Sequence, residues 1–150
     1  MPTVVSEPKV LLDLAGTSFG TSQWLPVSQD RVDRFAVATG DHQWIHVDPE
    51  RARCGPYGGT IAHGYLTLSL APVFLAELLT VEKALAAVNY GIEKVRFPAP
   101  VPVGASIRCH LTLVSARERG AGIEAVFHLV YEVTGTDRPA CVADVVVLYQ

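Results

Sequence analysis

The second half of the 150-residue chain restricts the choice of fold most. Ile107, Cys109, Leu111 and Leu113 alternate with Ser106, Arg108, His110 and Thr112, the period of a strand with one buried face. The same alternation runs through Ile123, Ala125, Phe127, Leu129, Tyr131 and Val133, and Ala140–Tyr149 is almost continuously apolar. Glycine and proline breaks separate these runs, so strands are expected over residues 88–97, 105–117, 123–134 and 139–149.

The first half carries the helices. Residues 18–27 read as an irregular early strand, after which Ser28 is a helix N-cap with Asp30 in the first turn. Val32, Phe35, Ala36 and Thr39 fall at helical spacing, and Gly40 ends the run as a left-handed glycine does. Asp48-Pro49-Glu50 opens a second, short helix: Asp48 caps it and Pro49 suits its first turn. Residues 54–60 are a turn-rich break. From Ala62 to about Leu79 the sequence predicts one long helix, apolar nearly all round and kinked by Pro72. Helices early and antiparallel strands late make an α+β architecture, one long helix against a curved antiparallel sheet.

With 49% apolar and 18% charged residues the chain is far from disorder, and 150 residues suit one domain over 1–150 without metal or disulfide staples. Net charge is −3 with no basic run, which speaks against nucleic acid or an anionic membrane as partner. Cys54, Cys109 and Cys141 are odd in number and widely spaced. They do not resemble a disulfide framework, and Cys109 and Cys141, in apolar alternating segments, read as buried free thiols of a reducing cytoplasm. The N-terminus has no signal-peptide pattern. The longest apolar stretch, Leu66–Leu79, is interrupted by Thr67, Ser69, Pro72 and Glu77 and is too short to span a bilayer.

The loop Gly40–Val47 is pinned by a helix at each end, and it carries Asp41 and His46. Singly, each is most simply a loop cap or a buried, hydrogen-bonded histidine. Together on a rigidly held loop they form an acid/base candidate, since imidazole titrates near neutrality and a neighbouring carboxylate tunes it. Ala62-His63-Gly64 at the start of the long helix is the second element. The first N–H groups of a helix are unpaired, and a glycine admits close approach of a carbonyl. Rival constellations are weaker. His42 and His46 have metal-ligand spacing only on a helix, Cys54 has no base nearby, and no Gly-x-Ser-x-Gly elbow or Lys-Ser/Thr phosphate loop occurs. Lys94, Arg96 and Arg108 are scattered charges that either meet phosphates or are simply solvated.

Phe35–His46 (FAVATGDHQWIH) with Val47-Asp48-Pro49, then Thr60-Ile61-Ala62-His63-Gly64 and Val95–Gly104, resembles the MaoC-like hydratases and dehydratases. The resemblance implies a single hot-dog domain that pairs as a homodimer. The implied activity is that of a hydro-lyase, reversible hydration of trans-2-enoyl-CoA to (R)-3-hydroxyacyl-CoA, with Asp41 and His46 as catalytic residues. One of the pair takes a proton from water and the other protonates C2. Gly64 N–H is the implied oxyanion donor; His63 either touches substrate or orders the loop. No metal and no cofactor are implied, coenzyme A or phosphopantetheine being part of the substrate. The family has Asn-Pro where this chain has Gln43-Trp44, so Trp44 either walls the acyl pocket or packs into the core. A hot-dog thioesterase and a non-catalytic acyl-thioester-binding protein are the alternatives that the same fold offers.

Overall fold

The computed structural model describes residues 1–150. Its centre is an antiparallel sheet in the order β2-β6-β7-β8-β5: β2 is Ser18–Thr21, β5 Ala87–Arg96, β6 Ser106–Arg119, β7 Gly122–Val133 and β8 Cys141–Tyr149. Short β3, Leu25–Pro26, extends the pairing along β6, and β1, Thr3–Val5, pairs in parallel with β4, Leu79–Val81. The four strands expected in the second half are present within two residues at each end. The alternating apolar residues face inward as anticipated: Ile107, Leu111, Leu113, Phe127, Leu129 and Tyr131 are completely buried. Gly120, at φ 57°, supplies the left-handed backbone that a two-residue turn needs to join β6 to β7 in register Arg119↔Gly122.

The first helix, α1 (Gln29–Thr39), is bounded as its sequence dictates. Ser28 Oγ accepts from Arg31 N–H, a cap worth about 1 kcal/mol, and Gly40 closes the end at φ 81°. The loop beyond it holds more structure than expected, a single helical turn α2 at Trp44–Val47. Asp48 then caps α3 (Pro49–Arg53) by accepting from Arg51 N–H.

The long helix expected over Ala62–Leu79 is corrected to two. α4 spans Gly64–Ser69 and α5 spans Ala71–Leu78, with the break at Leu70. Pro72 does not kink a continuous helix. It stands in the first turn of α5, where its missing N–H has no intrahelical partner to lose. The pair is also less enclosed than a helix apolar nearly all round implies, since Tyr65 and Val73 are exposed. Phe74 docks α5 on the sheet, meeting Tyr131 edge-on at 5.4 Å between ring centroids, and Tyr131 Oη donates to Leu68 O of α4. No helix is long and apolar enough to cross a membrane. All three cysteines are free; burial pushes the Cys109 and Cys141 thiols up to about 12, while Cys54 is exposed.

Candidate active site

Gly40 turns the chain out of α1 and presents Asp41 on the surface, its side chain 47% exposed. Asp41 Oδ1 accepts from Gln43 N–H at 3.3 Å, which holds the carboxylate over the start of α2. One turn on, α2 directs His46 inward, where the residue is 6% exposed. Its Nδ1 lies 2.6 Å from Ile61 O; a carbonyl only accepts, so Nδ1 carries the hydrogen and Nε2 is left with a lone pair. Burial lowers the pKa of His46 below the ordinary 6.5, with a further push from His63, against the opposing effects of the Ile61 hydrogen bond and Asp41. The ring is thereby kept neutral near pH 7.

His63 lies beneath this pair, 1% exposed, between Phe35 and His46. Its ring stacks on His46 with centroids 3.9 Å apart and planes 25° from parallel. Its Nε2 donates to Asp41 O at 3.0 Å and stands 4.0 Å from Asp41 Oδ2. This contact makes His63 the brace under the loop and leaves its Nδ1 buried without a partner. The ligating atoms of Asp41, His46 and His63 lie within 4.8 Å of one another. A water making two hydrogen bonds of about 2.8 Å bridges such a gap. The same cluster is an ill-fitting chelate, because rings stacked 3.9 Å apart with planes 25° from parallel cannot both hold one ion in the plane of their lone pairs. Each ring also has one nitrogen committed to a carbonyl.

Gly64 opens α4, and its N–H has no partner in the protein. It borders a cleft of about 400 Å³ walled by Tyr57, Ile61, Ala62, Phe97 and Val101. A Cβ at Gly64 would meet the Phe97 ring at 3.2 Å, so glycine lets that ring lie on the helix start. Ile61 joins the two halves of the site, since its residue lines the cleft and its carbonyl anchors His46.

Trp44 is not brought into that cleft. Arg51 lies over its indole at 4.4 Å and Gly55 packs beneath, where a Cβ would come within 2.9 Å of the ring. Of the scattered cations, Arg108 is committed to Glu132 and lies over Trp24, and Arg96 donates to its neighbour Val95 O. His42 is exposed, away from the inward-facing ring of His46. The sequence reading missed Gln29, whose amide reaches His46 O and Thr60 Oγ1. A lone glutamine in a helix's first turn carries no sequence signal for such a bridge.

The family described as MaoC like domain matches residues 12–133. Among curated proteins, 3-hydroxyacyl-thioester dehydratase Z of Mycobacterium tuberculosis (strain H37Rv) is 51% identical over 136 residues, 90% of each chain. Nodulation protein N of Rhizobium leguminosarum bv. viciae is 39% identical over 138 residues, covering 90% of this chain and 86% of that one. Among solved structures, the (R)-hydratase from A. caviae involved in PHA biosynthesis superposes with a TM-score of 0.74. It is 22% identical, with 89% of this chain and 94% of that one covered. A monoamine oxidase regulatory protein from Archaeoglobus gives a TM-score of 0.79 at 21% identity, covering 99% and 97%. These structural likenesses speak for the fold, the hot-dog arrangement of helix and curved sheet. On the match across residues 12–133 and on the relative with half its residues identical, the chain belongs to the MaoC-like dehydratase family.

Proposed function

We propose that the chain hydrates trans-2-enoyl-CoA to (R)-3-hydroxyacyl-CoA and, in reverse, dehydrates the 3-hydroxyacyl thioester. The observation that carries this reading is the pinned tautomer of His46, which leaves Nε2 unprotonated on a ring that has a nitrogen within 4.8 Å of an Asp41 carboxylate oxygen. The name of the 51% identical relative supports the reaction class.

In the hydration direction, Asp41 and His46 hold one water between them. As its oxygen adds to C3, Nε2 of His46 takes its proton. Negative charge moves to the thioester oxygen, which the free N–H of Gly64 receives. A carboxylate with a neutral imidazole holds no transferable proton except the one just taken from water. The imidazolium therefore returns that proton to C2, and the two groups do not divide the steps between them. Asp41 orients the water and stabilises the transient imidazolium; His63 braces both residues from below, and Trp44 buttresses α2 through Arg51 and Gly55. The scheme draws on no cofactor or metal.

The reaction is tested by following enoyl absorbance with a short series of trans-2-enoyl-CoA substrates, a thiol reagent in parallel and chiral analysis of the product. Loss of the enoyl band without free thiol, giving the R alcohol, is the expected result. Release of CoA identifies a thioesterase instead, and binding of crotonyl-CoA without turnover identifies a non-catalytic protein.

Because hydration needs neutral His46, kcat/KM is expected to fall only as the pH drops below 6.5, through the depressed pKa of the free folded protein. Stability follows the same sign. The unfolded chain binds this proton first, so acid favours unfolding, beginning near pH 6.5 and continuing down to the lowered folded value. A pH–rate profile with its acid limb centred above 6.5 contradicts the neutral-base assignment.

We further propose a homodimer in the cytoplasm. β5 is a ten-residue edge strand with Val88, Tyr90 and Ile92 exposed, an open edge that a second copy covers by pairing about a two-fold axis. Light scattering is expected to give twice the chain mass, and Ile92→Lys to shift the protein towards monomer. A strictly monomeric wild type overturns this assembly.

A further inference from the structure

We propose that Gln29 is a positioning residue for His46, holding the histidine's main chain and, through Thr60, the segment whose carbonyl anchors its ring. The inference rests on the reading of His46 given above and deepens it by naming what keeps the imidazole in place.

Both N–H groups and the oxygen of the Gln29 amide are engaged. Nε2 donates to His46 O at 2.7 Å and to Asp33 Oδ1 at 2.9 Å, while Oε1 accepts from Thr60 Oγ1 at 2.7 Å. The orientation is forced, because a carbonyl and a carboxylate only accept and so must face the nitrogen. Thr60 is buried, and the next residue, Ile61, provides the carbonyl that takes the Nδ1 hydrogen of His46 at 2.6 Å. One planar amide in the first turn of α1 thus spans the two ends of the histidine's attachment, the main chain at His46 and the segment bearing the ring's acceptor.

Ile61 N–H also donates to Ile45 O at 3.0 Å, so the attachment has a second tie. Losing the glutamine is therefore expected to loosen the ring rather than release it. The main chain at residues 46 and 61 keeps its fold, while the imidazole samples orientations in which Nε2 no longer meets the water. Such misplacement reduces turnover more than it weakens binding, because the acyl cleft at Gly64 is untouched.

The test compares the full-length wild type with Gln29→Ala, Gln29→Glu, Thr60→Val, Thr60→Ser and Asp33→Asn. Gln29→Glu keeps an acceptor for Thr60 and removes the donor to His46 O; Thr60→Ser keeps the hydroxyl. Asp33→Asn keeps an oxygen acceptor for the outer N–H of the amide and removes only the charge. Two readouts are taken: kcat and KM for trans-2-enoyl-CoA hydration, and hydrogen exchange of the His46 Nδ1–H followed by NMR. Gln29→Ala, Gln29→Glu and Thr60→Val are expected to lose about tenfold to a hundredfold in kcat with KM changed less than about threefold. In the same three, Nδ1–H is expected to exchange about tenfold faster or more, as a loosened local contact does. Thr60→Ser and Asp33→Asn are expected to behave as wild type in both. Unchanged kcat and unchanged exchange in folded Gln29→Ala and Gln29→Glu overturn the proposal. If the wild type itself does not hydrate enoyl thioesters, the reaction assignment fails and the exchange measurement alone decides the role of Gln29.

Discussion

Asp41→Asn and His46→Ala are each expected to lower kcat for enoyl-thioester hydration about a thousandfold, and the double variant to fall little further. A thousandfold loss is about 4 kcal/mol of transition-state stabilisation, within the range that a positioned proton-transfer group supplies. The near-identity of single and double variants follows from the shared water. Once either holder is gone, the other has nothing to orient, so the two losses do not add. Stability separates the two variants where activity does not. The Asp41 side chain is 47% exposed and has only one weak hydrogen bond, from Gln43 N–H, so its amide variant is expected to unfold within about 0.5 kcal/mol of wild type. His46 is buried and fills the bond to Ile61 O, so its removal leaves that carbonyl unpaired at a cost of about 1–3 kcal/mol. Steady-state kinetics with urea unfolding of all three variants checks both halves. Near-normal turnover in either single variant would sink the assignment of the pair.

The parts of this molecule that could be read from the chain are those set by near neighbours. Ser28, Gly40 and Asp48 act on hydrogen bonds within three or four residues, so the ends of α1 and the start of α3 follow from residue type alone. The strands were legible because inward and outward residues alternate without interruption from Ser106 to Leu113. Pro72 shows where the same local logic divides. A proline inside an apolar run either bends one helix or begins another, and Leu70 decides for the second by closing α4 with a turn.

The candidate site was legible as a set of residues and not as an arrangement. The positions of Asp41, His46 and Gly64 along the chain identify a carboxylate, an imidazole and a free N–H. That His46 is held through Nδ1 depends on Ile61, fifteen residues away, and that Asp41 rests on His63 depends on a residue twenty-two away. Neither separation corresponds to a helix or strand period. The protonation logic of the pair therefore emerges only when the segment Thr60–Gly64 is laid under the loop. Trp44 illustrates the converse. Its place between Asp41 and His46 in the chain allows either a pocket wall or a packed ring, and only the helical turn that sets it against Arg51 and Gly55 chooses between them.

Phe74→Ala is expected to destabilise the protein by about 3–5 kcal/mol, the range for deleting a fully buried aromatic ring. Phe74 is 1% exposed and is the contact of α5 with Tyr131 at the middle of the sheet, so the deleted ring leaves a cavity between helix and sheet that neither can collapse into. For a chain of this length the loss corresponds to a fall in Tm of about 6–20 °C. The neighbouring Val73→Ala is the matched control. Val73 is on the same helix but 45% exposed, and its truncation is expected to stay within about 0.5 kcal/mol. The consequence reaches the site because α4 and α5 are nearly continuous and α4 begins at Gly64. A helix pair that loses its seat on Tyr131 holds the Gly64 N–H less firmly at the cleft it borders. At a temperature where Phe74→Ala is still folded, KM and kcat are expected to worsen together, whereas loss of Asp41 acts on kcat. Thermal unfolding of both variants, with kinetics below the lower Tm, distinguishes a seat for the helix from an inert filler. A Phe74→Ala protein as stable as Val73→Ala would mean that the sheet and not the aromatic contact holds the helices in place.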